Sequence, residues 1–222
     1  MSESPHLGGT GVSPARAGED ARRSAKLGPR FDEAFRYAAE KHAAQTRKKT
    51  DVPYISHLMS VAALVLEAGG DEDQAIAALL HDVVEDCGGK PVLEEICQRF
   101  GKRVANIVEG CTDAYTIPKP PWKQRKLDYL KVLRSADDDI RLVSAADKLH
   151  NVRTILADYR HEGDRVWERF SGRKDGTLWY YRAVLDVLRH GQSNRLVDEL
   201  QRVVTELETL TSKGVPHSAS LS

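Results

Sequence analysis

The stretch Ala75-Ile76-Ala77-Ala78-Leu79-Leu80-His81-Asp82-Val83-Val84-Glu85-Asp86 decides how this chain is read. Its first six residues are apolar, and its last six carry four titratable side chains. At helical pitch His81 and Glu85 are i, i+4, as are Asp82 and Asp86, so the two pairs leave adjacent strips of one side. The spacing predicts one helix from an N-cap at Asp71, just after Gly69-Gly70, through Asp86, stopped by Gly88-Gly89. Three carboxylates then gather at the negative end of a helix macrodipole, where each anion is disfavoured by about 0.3–1 kcal/mol. A cation repairs that. Imidazole beside carboxylate suits a borderline divalent ion such as manganese, iron or zinc better than magnesium or calcium. On these residues alone, a solvated charged helix end with an incidental His-Asp pair is the alternative.

Helical patterns continue on both sides. Phe31, Ala34, Phe35, Ala38, Ala39 and His42 keep the i, i+3, i+4, i+7 spacing of a helix ending near Gln45, and Ser56 can cap a second helix through Leu66. Further patterns cover Val92 to Phe100, Lys102 to Cys111, Asp137 to Tyr159 and Lys123 to Arg134, the last preceded by Pro118, Pro120 and Pro121. Leu178 to Leu188 adds another, and Leu196, Val197, Leu200, Val203, Val204, Leu207 and Leu210 mark an amphipathic last helix that either completes the core or forms a dimer face. No strand pattern and no internal repeat is found. Short connections between helices predict an all-α protein, a compact orthogonal helical bundle. Residues 1–28 and 212–222, rich in Gly, Ser and Pro without apolar period, are expected to be disordered tails around a single domain at 29–211.

Composition narrows the function classes. With 222 residues, 41% of them hydrophobic and 30% charged, the chain has the balance of a soluble protein with one sizeable core. Lys plus Arg and Asp plus Glu each number 33, so no global positive field draws it to nucleic acid or an anionic membrane. Any anion site must be local. Cys87, Cys97 and Cys111 are an odd set without a Cys-x-x-Cys pair, which fits reduced thiols and argues against structural zinc. Neither a signal peptide nor an apolar run of about 20 residues is present, so the expected location is cytoplasmic.

A second acidic residue joins the His-Asp pair. Asp147 lies seven residues after Ile140 and four after Val143 on an apolar stripe, so its carboxylate is expected to be buried. A buried charge needs a partner or a metal, and Arg141, Lys148 or Arg153 could serve as the former. Asn151, one turn on, either caps, packs or faces the same cavity. His57 follows Pro53-Tyr54-Ile55-Ser56 at a predicted helix start, where a lone histidine is more often structural.

Together, His57, the His81-Asp82 pair and Asp147 resemble the His…His-Asp…Asp order of the HD phosphohydrolase superfamily. Gln45-Thr46-Arg47-Lys48-Lys49, Pro53-Tyr54-Ile55-Ser56-His57, His81-Asp82-Val83-Val84-Glu85-Asp86 and Ala146-Asp147-Lys148-Leu149-His150-Asn151-Val152-Arg153 narrow the similarity to the hydrolase domain of the RelA/SpoT family. It runs from about Phe31 to Arg189 and leaves no room for that family's synthetase or regulatory domains, which implies a small stand-alone hydrolase of HD-domain fold.

The resemblance implies that His57, His81, Asp82 and Asp147 hold one divalent metal ion, usually manganese. It places Glu85 and Asp86 as the catalytic pair beside the attacking water, where a carboxylate can take its proton. The reaction implied is hydrolysis of the 3′-pyrophosphate of the alarmone (p)ppGpp to GDP or GTP and pyrophosphate. Arg47 and Lys48, in the family's substrate-binding loop, suit a multiply charged pyrophosphate. Asn151 carries over as a nucleotide contact. Lys123 and Arg173 are further substrate-binding candidates, with Lys119 competing with the first and Lys174 with the second.

Three features depart from the family pattern. Leu58 follows the first ligand histidine where many members have Pro, which affects the helix start more than the ligand. Trp179-Tyr180-Tyr181 offers rings that either stack a base or fill the core, and helical spacing favours the core. The basic residues Arg16, Arg22, Arg23, Lys26 and Arg30 have no counterpart and read as solvated linker. Two rival functions stand beside the alarmone hydrolase: an HD phosphohydrolase for another nucleotide such as ppApp or NADPH, and a non-catalytic alarmone-binding module. The presence of all four ligands with Glu85 and Asp86 speaks against the second. The sequence leaves monomer or homodimer open.

Overall fold

The computed structural model describes residues 26–116, 118–190 and 194–213. Apart from residues 26–28 and 212–213, the expected tails lie outside the described residues. Arg30, read above as part of a basic linker, belongs to the first helix, where its guanidinium reaches Glu72, Asp73 and the Phe100 carbonyl. The described residues are helical, with one isolated antiparallel bridge between Thr46 and Pro53 and no named strand.

Helix α1, Pro29–Lys41, starts with Pro at its first position, where the missing N–H costs nothing. The Gly28 N–H ahead of it donates to Glu72 Oε1 at 2.6 Å. The loop 42–54 follows, and α2 spans Ile55–Glu67. Ser56 is not its cap: the helix begins one residue earlier, Tyr54 takes the N-cap position without a side-chain bond, and the Ser56 carbonyl receives the Ser60 hydroxyl. Helix α3, Glu72–Leu80, has the expected start, because Asp71 accepts from the Gln74 N–H while the Gln74 side chain accepts from the Asp71 N–H.

The predicted single helix from Asp71 to Asp86 is broken. Helix α3 stops at Leu80, His81 and Asp82 form a turn, and a short α4, Val83–Cys87, follows. No Gly or Pro interrupts the chain there. The His81 ring instead places Nδ1 2.8 Å from the Ala78 carbonyl, competing with the helical ladder for the same acceptor. Glu85 and Asp86 therefore stand in the first turn of α4 rather than at the negative end of a long helix, and the dipole argument for a cation does not apply to them. Gly88 and Gly89, with φ of 146° and 65°, then supply the left-handed turn that ends α4.

Next come α5 (Lys90–Phe100), α6 (Lys102–Cys111), α7 (Trp122–Ser135) and the 25-residue α8 (Asp138–Glu162), followed by a 3-10 helix (Gly163–Arg169), α9 (Arg173–Arg189) and α10 (Arg195–Lys213). The Asp137 side chain caps α8 by accepting from the Ile140 N–H at 3.0 Å. Between Val143 and Asp147 every residue of α8 is buried, the mark of a helix surrounded by others. It packs against α2, α3, α6, α9 and α10. Leu196, Val197, Leu200, Val203, Val204 and Leu207 of α10 are all buried against this core, so the stripe completes the fold. Among the described residues no helix is long and apolar enough to cross a membrane. The start of α2, the α3–α4 turn and the middle of α8 converge on one point, with α7 beside them.

Candidate active site

At that point His57, from α2, is fully buried, and His81 is 2% exposed. The His57 Nε2 lies 3.3 Å from Asp147 Oδ1 and 3.6 Å from Asp82 Oδ2. The His81 Nε2 lies 3.0 Å from Asp82 Oδ2 and 3.6 Å from Asp147 Oδ1. Despite this crowding, neither Nε2 has a hydrogen-bond partner. Two buried ring nitrogens that meet carboxylates at ion-pair distance but make no well-directed hydrogen bond are better satisfied by a species between them. One ligand atom from each of His57, His81 and Asp147 falls within 4.8 Å of the others, a geometry that can hold a metal ion. The donor set fits a divalent cation: the lone pairs converge and the carboxylates supply its counter-charge.

Each ligand atom is aimed by a neighbour. His81 Nδ1 faces the Ala78 carbonyl at 2.8 Å, which requires a proton on Nδ1 and leaves Nε2 with its lone pair inward in the neutral ring. His57 Nδ1 lies 2.8 Å from His150 Nδ1. One proton serves that contact, and burial together with the nearby His57 and Arg47 pushes His150 down to about 4, so His150 stays neutral and can accept. Asp82 Oδ2 accepts from the Tyr54 hydroxyl at 2.6 Å. Asp147 is buried as expected and takes its partner from the next residue: Lys148 Nζ lies 2.5 Å from Oδ2, while Asn151 donates to Oδ1 at 2.5 Å. Arg141 is used elsewhere, donating to carbonyls of Leu133, Val187 and Leu188, and Arg153 pairs with Glu199. Burial opposes the charge on His81, yet Asp82 and Asp147 hold its ring well above 6.5 when the cluster has no cation.

Beside the cluster lies a cavity of about 140 Å³ lined by Tyr54, Asp82, Glu85, Asp113, Lys126, Lys148, Asn151 and Tyr180 among others. Glu85 Oε1 accepts from Lys119 at 2.7 Å, and Asp86 Oδ1 accepts from the same ammonium at 3.0 Å. Gln45 donates to Asp86 Oδ2 at 2.9 Å and is itself met by His42 Nδ1 at 2.7 Å. Burial, with Asp113 and Asp82 adding to it, pushes Glu85 up to about 7 in spite of Lys119. Burial would raise Asp113 also, but Lys126 and Arg125 pull it down to about 2. Two carboxyl groups of one cavity are thus driven apart, one toward the range of a working base and one fixed as an anion.

The break after Leu80 splits the motif into two jobs of geometry: His81 and Asp82 turn to His57 and Asp147, whereas Glu85 and Asp86 turn to Lys119. Arg47 reaches in from the loop and donates to Asn151 Oδ1 at 2.7 Å, linking two expected substrate residues. Lys48 is at the rim, 5.9 Å from the Phe170 ring centroid, with its ammonium disfavoured by burial and by Lys126, Arg125, Lys49 and Lys119. Lys123 is not drawn in. It is exposed, and its ammonium lies over the Trp179 ring. Arg173 is exposed at the start of α9, with φ of 50°. Lys119, the competitor of Lys123, is the cation that meets Glu85 and Asp86. Tyr180 and Tyr181 are buried, in line with a core role, though Tyr180 also lines the cavity and its hydroxyl has no partner. Sequence reading missed Asp113, Arg125 and Lys126, because their meeting spans 12 and 13 residues across a Pro-rich segment with no period.

A buried His-His-Asp cluster at the meeting of three helices, with a second layer of carboxylates beside it, defines a metal-dependent hydrolase class, and the chain belongs to the HD domain family, whose pattern matches residues 34–178. It is 42% identical over 126 residues to the guanosine-3′,5′-bis(diphosphate) 3′-pyrophosphohydrolase MESH1 of Xenopus tropicalis, covering 55% of this chain and 68% of that protein. It is also 42% identical over 125 residues to the guanosine-3′,5′-bis(diphosphate) 3′-pyrophosphohydrolase of Aquifex aeolicus, but spans only 17% of that much longer relative. Among solved structures, a metazoan ortholog of SpoT described as hydrolysing ppGpp superposes with a TM-score of 0.69 at 28% identity, over 84% of this chain and 99% of its own. The protein lmo0812 of Listeria monocytogenes superposes with a TM-score of 0.63, also at 28% identity, over 69% and 99%.

Proposed function

We propose that residues 29–211 form one hydrolase domain that removes the 3′-pyrophosphate of (p)ppGpp, giving GDP or GTP and pyrophosphate. The observation that carries this reading is the convergence of two buried histidine nitrogens, neither of them hydrogen-bonded, on Asp147, with Glu85 beside them pushed up to about 7, a value suited to a base. The kinship with two 3′-pyrophosphohydrolases supports the substrate. His57, His81, Asp82 and Asp147 would hold one divalent ion, with manganese the best match to two imidazoles and two carboxylates. When bound, such an ion supplies Lewis acidity toward a phosphoryl oxygen and activates water at neutral pH.

The protein's own groups do the rest. Glu85 takes the proton of the attacking water, and Asp86, held by Gln45 and Lys119, keeps that water in line. Lys119, on releasing the two carboxylates, is available to the negative charge that develops on the phosphate. Arg47 and Lys48 gather the pyrophosphate from the rim, and Asn151 faces the nucleotide. Lys123 and Arg173 would contribute at most to the outer approach. Cys87, Cys97 and Cys111 are unpaired, which supports a reducing, cytoplasmic location. The test is to strip the purified chain of metal, add manganese, and separate the products formed from ppGpp, ppApp and NADPH in parallel. Manganese-dependent release of pyrophosphate from ppGpp, faster than turnover of the other two, is expected. Turnover of another nucleotide alone would keep the mechanism and reject the substrate, whereas failure on all three would favour a binding module.

A further inference from the structure

Asp113 and Lys126 line the cavity, and Arg125 pairs with Asp113 beside it; neither cation has a part in the chemistry proposed for the metal cluster. Asp113 Oδ1 lies 2.5 Å from Arg125 Nη1, and its Oδ2 lies 2.5 Å from Lys126 Nζ. The Asp113 side chain is 5% exposed, and those of Arg125 and Lys126 are 14% and 18% exposed. Arg125 also donates through Nε to the Pro120 carbonyl at 3.1 Å and stands 3.8 Å from Glu85. Lys126 lies 4.9 Å from the Tyr180 ring centroid and feels the charge of Lys148. Asp113, Lys126 and Tyr180 line the same cavity as Glu85 and Asp147.

The Tyr180 hydroxyl is an independent sign of a ligand. Tyr180 is 6% exposed, its hydroxyl has no hydrogen-bond partner, and the residue forms part of the cavity wall. A buried O–H without an acceptor is a deficit that an anionic oxygen entering the cavity would repair. Two cations and a hydroxyl donor are what a tetrahedral phosphate requires, and a carboxylate already sits on the cations.

We propose that Arg125, Lys126 and the Tyr180 hydroxyl form a phosphate subsite beside the metal cluster, which Asp113 fills with its own carboxylate until a phosphate displaces it. The occupant is a phosphoryl group of the pyrophosphate that the reaction releases, so the choice of ligand rests on the hydrolase reading. Asp113 acts as an internal competitor. It keeps two half-buried cations paired in the empty protein, avoiding the cost of leaving them partly desolvated and unpaired, and it weakens the hold on product by reclaiming them. Burial alone would neutralise Asp113, but the two cations keep it ionised well into the acid range, so it remains a competitor at neutral pH.

The experiment is calorimetric titration of inorganic pyrophosphate into the full chain stripped of metal, so that chelation by the ligand plays no part. Asp113→Asn is expected to bind pyrophosphate about tenfold or more tightly than the parent, because the cations then lack an internal partner. A merely structural lesion would not produce a gain. Unchanged or weaker binding by a folded Asp113→Asn would overturn the proposal. If that variant fails to fold, Lys126→Gln and Tyr180→Phe decide. Both are expected to weaken pyrophosphate binding, the first about tenfold and the second several-fold, and parental affinity in Lys126→Gln would sink the subsite. A chain that turns over no nucleotide yet shows this pattern would refute the hydrolase reading alone. An active hydrolase whose Asp113→Asn variant gains no affinity would refute the subsite alone.

Discussion

The two halves of the cavity are built on opposite principles. On one side His57, His81, Asp82 and Asp147 are each fixed by short contacts to groups that stay in place, some local and some from across the fold: His81 to the Ala78 carbonyl, Asp147 to Lys148 and Asn151, Asp82 to Tyr54, and His57 to His150. On the other, Lys119, Arg125 and Lys126 reach from a Pro-rich connection and the first turns of α7 to carboxylates 12 to 34 residues away. The metal side is stiff and its donors are preset before any ligand arrives. The cationic side is made of long side chains whose present partners are the protein's own carboxylates, and under the proposed function these would be exchanged for phosphate. The first half binds by preorganisation, and the second by substitution.

The largest expected effect tests the stiff half. Asp147→Ala removes a ligand atom and leaves Lys148 buried without its partner, so metal binding should be lost, turnover should fall by about three orders of magnitude or more, and stability by about 3–5 kcal/mol. Metal content after dialysis and thermal melting read the two losses separately. An Asp147→Ala protein that still retains one equivalent of metal would break the assignment. Glu85→Gln comes next. It should retain the metal and lose about 10²–10⁴-fold in turnover, since only the base is removed. Full activity in this variant would assign the proton transfer to another group.

The cationic half is sharpened by a pair of lysines. Lys119→Ala should raise KM about tenfold or more, whereas Lys123→Ala should change it less than about twofold, because of the two only Lys119 reaches Glu85 and Asp86. Steady-state kinetics on both variants ranks them. An equal effect would erase the distinction drawn between them.

The smallest effect is a pH dependence. The His81 ring in the metal-free protein sits well above its unfolded value of 6.5 because Asp82 and Asp147 outweigh burial. Its contribution to stability is therefore fully present below 6.5 and declines as pH rises through the folded pKa. Protons and metal compete for the same nitrogen, so metal affinity should move the other way and weaken by up to about tenfold per pH unit on acidification. Thermal melts of the metal-free chain and metal titrations across pH 5 to 9 check both signs. A flat metal affinity across that range would mean that the His81 ring enters the cluster already neutral.

Much of this molecule is legible in the one-dimensional pattern. Apolar spacing of 3, 4 and 7 residues marks helices because a helix repeats every 3.6 residues, and Asp71 with Gln74 or Asp137 with Ile140 marks their starts through local hydrogen bonds. Burial of Asp147 follows from its place on the stripe of Ile140 and Val143. His57, His81-Asp82 and Asp147 are legible as candidate ligands only as a set, through the family resemblance, because each of them alone has a common structural use. What only the tertiary structure decided is everything that depends on side chains far apart in sequence. The break after Leu80 comes from a ring capturing a carbonyl, not from a breaker residue, and it sends His81 and Asp82 one way and Glu85 and Asp86 another. The choice of Lys119 over Lys123, and the meeting of Asp113 with Arg125 and Lys126, depend on where the segment before α7 lies against α4. No local period encodes that placement, because it depends on pairing between half-buried and exposed charges that lie far apart in sequence.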